Sequence, residues 1–239
     1  MSEDLTPEQQ LIKIKANAHA NKIKKIFAKE ITDKLKYPKE KDPVSVFMAG
    51  SPGAGKTEAS KALLDNFDGN VIRIDADEYR EQFEDYSGDN SWLFQSAVSI
   101  LVEKAHDLVI KNSQSFLLDG TLTNYEKAVK NIERSIKRNR MVQILYVYQE
   151  PTLAWEFVKA REKVEGRNIP LDRFINQYFE ARDCVNRLKA VFGKEIKVDL
   201  LIQDRENQQV SYRANIDKID NHLPEKYTPA TLETLLCKG

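Results

Sequence analysis

Gly50-Ser51-Pro52-Gly53-Ala54-Gly55-Lys56-Thr57 follows the apolar run Val44-Ser45-Val46-Phe47-Met48-Ala49 and opens a helix-compatible stretch at Lys56. The eight residues satisfy G-x-x-x-x-G-K-[ST], and a strand before with a helix after is the context in which that pattern cradles phosphate. Glycines let backbone N–H groups turn inward, the helix N-terminus adds partial positive charge, and Lys56 can reach the β- and γ-phosphates. Thr57 is the expected Mg²⁺ ligand. ATP is the expected nucleotide, with GTP the alternative. The loop fixes nucleotide binding but not the reaction, because GTPases, motor ATPases and kinases share it.

Outward from the loop, short apolar runs at 44–49, 71–74, 116–118, 142–148 and 198–202 alternate with amphipathic stretches. Helices are predicted at about 56–66, 89–111, 125–137, 151–164 and 172–191, with a short terminal one within 224–239. Buried runs spaced by crossover-length helices predict a mainly parallel sheet covered on both faces, an α/β three-layer P-loop fold. Before it, residues 6–36 predict an N-terminal helix with Thr6 as N-cap, Pro7 at its first position and Gln9 closing a capping box. Its apolar face would be Ile12, Ile23, Phe27, Ile31 and Leu35. Proline and lysine at 37–43 read as a linker, dividing the chain into residues 1–43 and a kinase domain at 44–239.

The second run ends Ile74-Asp75-Ala76-Asp77, so two carboxylates lie just past the C-terminal edge that also carries the loop, where open parallel sheets bind ligands. A kinase needs a carboxylate there to orient an acceptor hydroxyl and take its proton. Asp77 is chosen as that base, although both residues could equally cap the following helix. The third run closes on Asp119-Gly120-Thr121. Asp119 reads as a metal-supporting carboxylate or as an acceptor contact, and Thr121 supplies a hydroxyl. Arg161 falls late in its helix and Arg167 in the Gly- and Pro-marked stretch 165–170, a lid-like pair whose guanidinium groups suit a transferring phosphoryl group.

The 239 residues carry 37 basic and 37 acidic side chains, so no global field draws the chain to nucleic acid or an anionic membrane. No stretch approaches the roughly 18 apolar residues of a spanning helix. Cys184 and Cys237 lack metal or disulfide-framework spacing. A cytoplasmic protein without a membrane partner is expected. His19, His106 and His222 show no ligand spacing, so no transition-metal site is expected.

With these motifs placed, the chain resembles the zeta-toxin family of P-loop kinases over about residues 44–202. The resemblance rests on the loop at 50–57, Gly-Asn-Val-Ile-Arg-Ile-Asp-Ala-Asp at 69–77, Asp-Gly-Thr at 119–121, and Arg161 with Arg167. It implies a toxin of a toxin–antitoxin system that phosphorylates the 3′-hydroxyl of the amino sugar in UDP-N-acetylglucosamine. It carries the base onto Asp77, phosphate binding onto Arg161 and Arg167, and acceptor contacts onto Asp119, Thr121 and, one helix earlier, Glu103. The bland reading of Glu103 is a solvated residue off its helix's core stripe of Phe94, Ala97, Leu101, Ala105 and Leu108. The chain departs from the family pattern at Asp119, where members of known substrate often have Glu, and at Thr123, where they often have Arg.

The resemblance also implies a helical antitoxin that blocks the nucleotide site, while the Lys-rich N-terminal helix is read either as packed on the kinase domain or as an intramolecular inhibitor. The expected activity is ATP-dependent transfer to a small sugar-nucleotide hydroxyl. Two competing readings are a nucleotide-gated regulatory ATPase, for which no water-positioning group is evident, and a polynucleotide 5′-hydroxyl kinase, which needs a basic or aromatic track.

Overall fold

In the computed structural model the described residues are 5–65, 67, 70–204, 209–224 and 226–237. The expected helix end at 66, Gly69 of the 69–77 stretch, and 225 and 238–239 of the expected tail lie outside them. The elements are α1 (Pro7–Ile31), β1 (Val44–Ala49), α2 (Lys56–Asp65), β2 (Ile72–Asp75), α3 (Gln95–Lys111), β3 (Phe116–Asp119) and α4 (Tyr125–Ile136). They continue with β4 (Met141–Gln149), α5 (Pro151–Glu165), α6 (Leu171–Phe192), β5 (Ile196–Asp204), β6 (Gln209–Arg213) and α7 (Pro229–Leu236). Short 3₁₀ turns at Glu78–Gln82 and Ser91–Phe94 connect β2 to α3.

The sheet order is β2-β3-β1-β4-β5-β6, parallel except for the β5–β6 pair. Alternation along β1 sends Phe47 and Ala49 into one core and Val46 and Met48 into the other, which is why the strand is apolar without a break from Val46 to Ala49. The first core takes α1, α3, α4 and α6, and the second is closed by Ala59, Leu63 and Leu64 of α2. Among the described residues, no helix is long and apolar enough to cross a membrane.

Strand β6 has no counterpart in the sequence reading. Its apolar residues, Val210 and Tyr212, are both exposed, so it forms through ladder bonds to β5 rather than through a core-facing run. The Tyr212 hydroxyl also donates to Asp199 at 2.6 Å.

Helix α1 starts as its sequence dictates: Thr6 Oγ1 accepts from Gln9 N at 3.2 Å, and Gln9 Oε1 accepts from Thr6 N at 3.0 Å. It stops at Ile31 rather than 36, because Thr32 turns its hydroxyl back onto Ala28 O at 2.7 Å. Leu35, expected on the apolar face, therefore lies beyond the helix and is 96% exposed. The buried contact runs through Ala16, Ala20, Phe27 and Ala28. Small residues bring α1 close along α3, while Ile12, Ile23 and Ile31 flank the core. The segment from Thr32 to Glu40 is pinned to the entry of β3: Gln114 Nε2 donates to Tyr37 O at 2.6 Å and to Thr32 O at 3.1 Å, and Glu40 accepts from Ser115 N and Oγ.

The Phe27 ring meets Tyr79 edge to face, with centroids 4.7 Å apart, so α1 braces the 3₁₀ turn that follows Asp77. Phe27→Ala removes a buried aromatic from that contact and is expected to cost about 3 kcal/mol of stability. Urea denaturation of the variant beside the parent measures this.

Candidate active site

The glycine-rich loop leaves β1 and enters α2 with its backbone curled around the Lys56 amine, which donates to Gly50 O at 3.0 Å and Ser51 O at 2.6 Å. Gly53 has φ +72°, and a Cβ there would come within 2.1 Å of Ala154 O, so the loop packs directly on the first turns of α5. Gly50 N donates to Thr121 O at 3.3 Å, which ties the loop to the exit of β3. Gln203, at the end of β5, donates to Gly55 O at 3.2 Å. Burial pulls the Lys56 amine down to about 8, opposed by the charges of Asp119 and Asp77. A cradle of backbone turned around a cation at a helix N-terminus fits a nucleotide's phosphates, and Thr57 in the first turn of α2 is positioned by sequence to share in holding Mg²⁺.

The two carboxylates after β2 differ sharply. Asp75 is buried, its Oδ1 accepts from Asp77 N at 2.7 Å, and its other oxygen pairs with Arg73. Burial pushes its carboxyl up to about 6 against the pull of Arg73, with the charges of Asp119 and Asp77 adding to the rise. Asp77 keeps 41% of its side chain exposed. Its Oδ1 accepts from Arg80, and its Oδ2 accepts from Arg167. Burial raises this carboxyl, but the two guanidinium groups outweigh it and hold Asp77 below the usual carboxylate range. Asp77 and Asp119 both contribute to the field at Lys56, and so do Arg161 and Arg167.

Asp119 is the register partner of Asp75 across β2 and β3. Arg73, two residues before Asp75 and so on the same face of the strand, bridges the pair: its Nη2 lies 2.7 Å and its Nε 3.2 Å from Asp119 Oδ2. Ser60 Oγ of α2 sits 2.9 Å from the same oxygen, and Glu78 takes the remaining arm of Arg73. Asp119 is thus a fixed member of an ion cluster at the sheet edge. The Thr121 hydroxyl lies 3.4 Å from that of Thr123.

Arg161, on α5, is bound to Glu165 at 3.0 and 3.3 Å. The helix ends on Gly166, and Arg167 follows it onto Asp77. This end of α5 is docked: a Cβ on Gly88, whose φ is +80°, would lie 2.1 Å from Glu165 O. Lys56, Asp77, Asp119, Arg161 and Arg167 are therefore assembled at one edge of the sheet. Glu103 stands apart, paired with Lys127 at 3.3 Å and Arg134 at 3.5 Å of α4 and half exposed.

Sequence reasoning did not single out Arg73 and Arg80. Their only signals are spacings, two residues before Asp75 and three after Asp77, which acquire meaning once a strand and a 3₁₀ turn fold them back. Nor did it single out Gln203, which the β5 register delivers to the loop from the far side of β4.

The family model described as Zeta toxin matches residues 28–217. The toxin PezT of Streptococcus pneumoniae serotype 4 (strain ATCC BAA-334 / TIGR4) is 24% identical over 122 residues, which are 48% of this chain and 48% of that toxin. The chain thus spans about half the length of the curated relative it matches. A solved chain from the PezAT chromosomal toxin-antitoxin system of the same species superposes with a TM-score of 0.69 at 17% identity, covering 92% of this chain and 93% of that one. The AvrRxo1-ORF1:AvrRxo1-ORF2 structure with sulphate ions gives a TM-score of 0.60 at 13% identity, with 90% and 72% covered. The AvrRxo1-ORF1:-ORF2 structure with ATP gives 0.56 at 14% identity, with 86% and 66% covered. These structural likenesses show a shared α/β fold.

Proposed function

The chain belongs to the zeta-toxin family, and on that premise we propose that it is an ATP-dependent phosphotransferase acting on a hydroxyl of a sugar nucleotide such as UDP-N-acetylglucosamine. The observation that carries the reading is the Asp77 carboxylate, half exposed at the sheet edge and sharing one electrostatic field with the loop lysine and the lid arginines. As the acceptor oxygen bonds to the γ-phosphorus, its proton passes to Asp77, and the bond from that phosphorus to the β–γ bridging oxygen breaks, leaving ADP. Lys56 holds the β- and γ-phosphates, and Arg161 and Arg167 neutralise charge on the transferring group. Bound Mg²⁺, shared with Thr57, would supply further neutralisation of phosphate charge. Asp119, Thr121 and Glu103 are the proposed acceptor contacts, within a kinase unit spanning 44–239.

Both arginines are engaged by carboxylates of this chain, Arg161 by Glu165 and Arg167 by Asp77. Both side chains are partly exposed and paired with carboxylates, partners whose place phosphate oxygens can take. A toxin role with a protein antitoxin is part of the proposal, supported by the PezAT toxin-antitoxin system to which the solved relative belongs. Because the donor is ATP, the proposed compartment is the cytoplasm. The N-terminal helix is proposed to brace the site through Phe27 and Tyr79 rather than to cover it.

ADP release in a coupled assay tests the reaction class. Stimulation by UDP-N-acetylglucosamine over ATP and Mg²⁺ alone is expected. Steady ATP turnover that no hydroxylated nucleotide stimulates would favour a nucleotide-gated ATPase and overturn the kinase.

A further inference from the structure

We infer that Arg80 is the positioning residue of the reaction: it holds one oxygen of Asp77 permanently, so that the other, covered here by Arg167, is the oxygen that meets the acceptor hydroxyl. The inference rests on the phosphotransferase reading above and concerns a residue to which that reading gives no role.

The two guanidinium groups on Asp77 are not equivalent. Arg80 donates to Oδ1, its side chain is 5% exposed, and its Nη2 is anchored on Gln95 Oε1 at 3.0 Å. It belongs to the 3₁₀ turn Glu78–Gln82, whose Tyr79 is clamped by Phe27 of α1. Arg167 donates to Oδ2 from the segment after Gly166, and 24% of its side chain is exposed. One arginine is built into the fold, and the other is on a connection between helices. Of the two, Arg167 is the partner an incoming hydroxyl can displace from Oδ2, while Arg80 stays on Oδ1.

Arg80 is also costly to keep. Its Nε is buried without a hydrogen-bond partner among the described residues, an arrangement that stability alone disfavours and that functional sites tolerate. Its fork geometry explains the retention: one arm fixes the carboxylate plane while the other is fixed by Gln95, so the free oxygen points in one direction. A carboxylate held through both oxygens is a weak base, and one held through neither is disordered. Held through Oδ1 alone, Asp77 keeps its orientation and frees Oδ2 for a proton.

The groups facing Asp77 are Arg80 from the turn, Arg167 from the connection after α5, Arg161 from α5, Lys56 from the loop and Asp75 from β2. Four are cations, so removing Arg80 takes away a charge that favours the ionised carboxylate, and the Asp77 pKa must rise. The test is Arg80→Gln and Arg80→Lys beside the parent. The readouts are kcat and KM for ATP across pH, and the carboxyl ¹³C titration of Asp77 in protein without nucleotide.

Arg80→Gln is expected to lower kcat by about 10²-fold with KM for ATP unchanged. The acid limb of kcat and the ¹³C titration midpoint both shift to higher pH. Arg80→Lys, which keeps the charge but not the fork, is expected to restore the titration and only part of kcat. A folded Arg80→Gln with unchanged kcat and unchanged Asp77 titration would overturn the inference. Should that variant fail to fold, Arg80→Lys decides: a kcat equal to the parent's overturns the inference, and a kcat lowered about tenfold at unchanged titration supports it. An inactive parent would overturn the kinase reading, whereas an active parent indifferent to Arg80 overturns this inference alone.

Discussion

Asp77→Asn is expected to keep ATP binding and lose phosphoryl transfer by about 10²- to 10⁴-fold, the range seen when a general base is removed. The amide is nearly isosteric, and with its oxygen accepting from Arg80 the turn after β2 keeps that bond, while its NH₂, a donor, takes the place of the oxygen that accepted from Arg167 and releases that arginine. What it cannot do is take the acceptor's proton. Removing the carboxylate also takes away a negative charge that lies in the field of Lys56, so affinity for the anionic nucleotide should be equal or tighter. Calorimetric titration with ATP-Mg²⁺ and a single-turnover transfer assay separate the two quantities. Full transfer by the variant would remove Asp77 from the chemistry.

The second large effect belongs to Lys56. Its amine titrates near 8 in the protein because burial disfavours the charged form. The charged form is the one that binds phosphate. As pH rises through about 8 the charge is lost, and kcat/KM for ATP should fall. Bound phosphates favour the ammonium, so the alkaline limb of kcat should lie higher than that of kcat/KM. On the acid side Arg167 and Arg80 hold Asp77 below the usual carboxylate range in the free protein, so the acid limb of kcat/KM, which reports that state, should lie at more acidic pH than an unperturbed aspartate gives. Lys56→Ala is expected to lower kcat/KM by at least 10²-fold and to erase the limb near pH 8. A pH profile in which that limb survives the substitution would assign it to another group.

Much of this architecture was legible because it is local. The apolar run at 44–49, the glycine spacing and the caps of α1 are properties of a few consecutive residues, and they reappear in β1, the loop curled around Lys56 and the Thr6 capping box. The order of the sheet, with β3 inserted between β2 and β1, follows from crossover connections rather than from any run. Strand β6 was illegible because its pairing, not its composition, makes it a strand.

The site divides in the same way. Asp75 and Asp77 look alike as residues of one Asp-Ala-Asp stretch, yet folding buries the first against Arg73 and leaves the second half exposed between two other arginines. Arg73 looks like a polar interruption of a strand until Asp119 arrives beside it from β3. Glu103 carries no local signal either way, and its partners Lys127 and Arg134 come from a helix that starts more than twenty residues later. Charge pairs formed across elements are invisible to periodicity, and those pairs set the electrostatics of this site.

The most direct test of the central claim is mass spectrometry of UDP-N-acetylglucosamine after incubation with the purified protein and ATP-Mg²⁺, beside the Asp77→Asn variant. The account predicts one added phosphoryl group on the amino sugar with the parent protein and product formed at least about 10²-fold more slowly with the variant. An unmodified sugar nucleotide in both reactions, with ATP consumed equally by the two proteins, would contradict it.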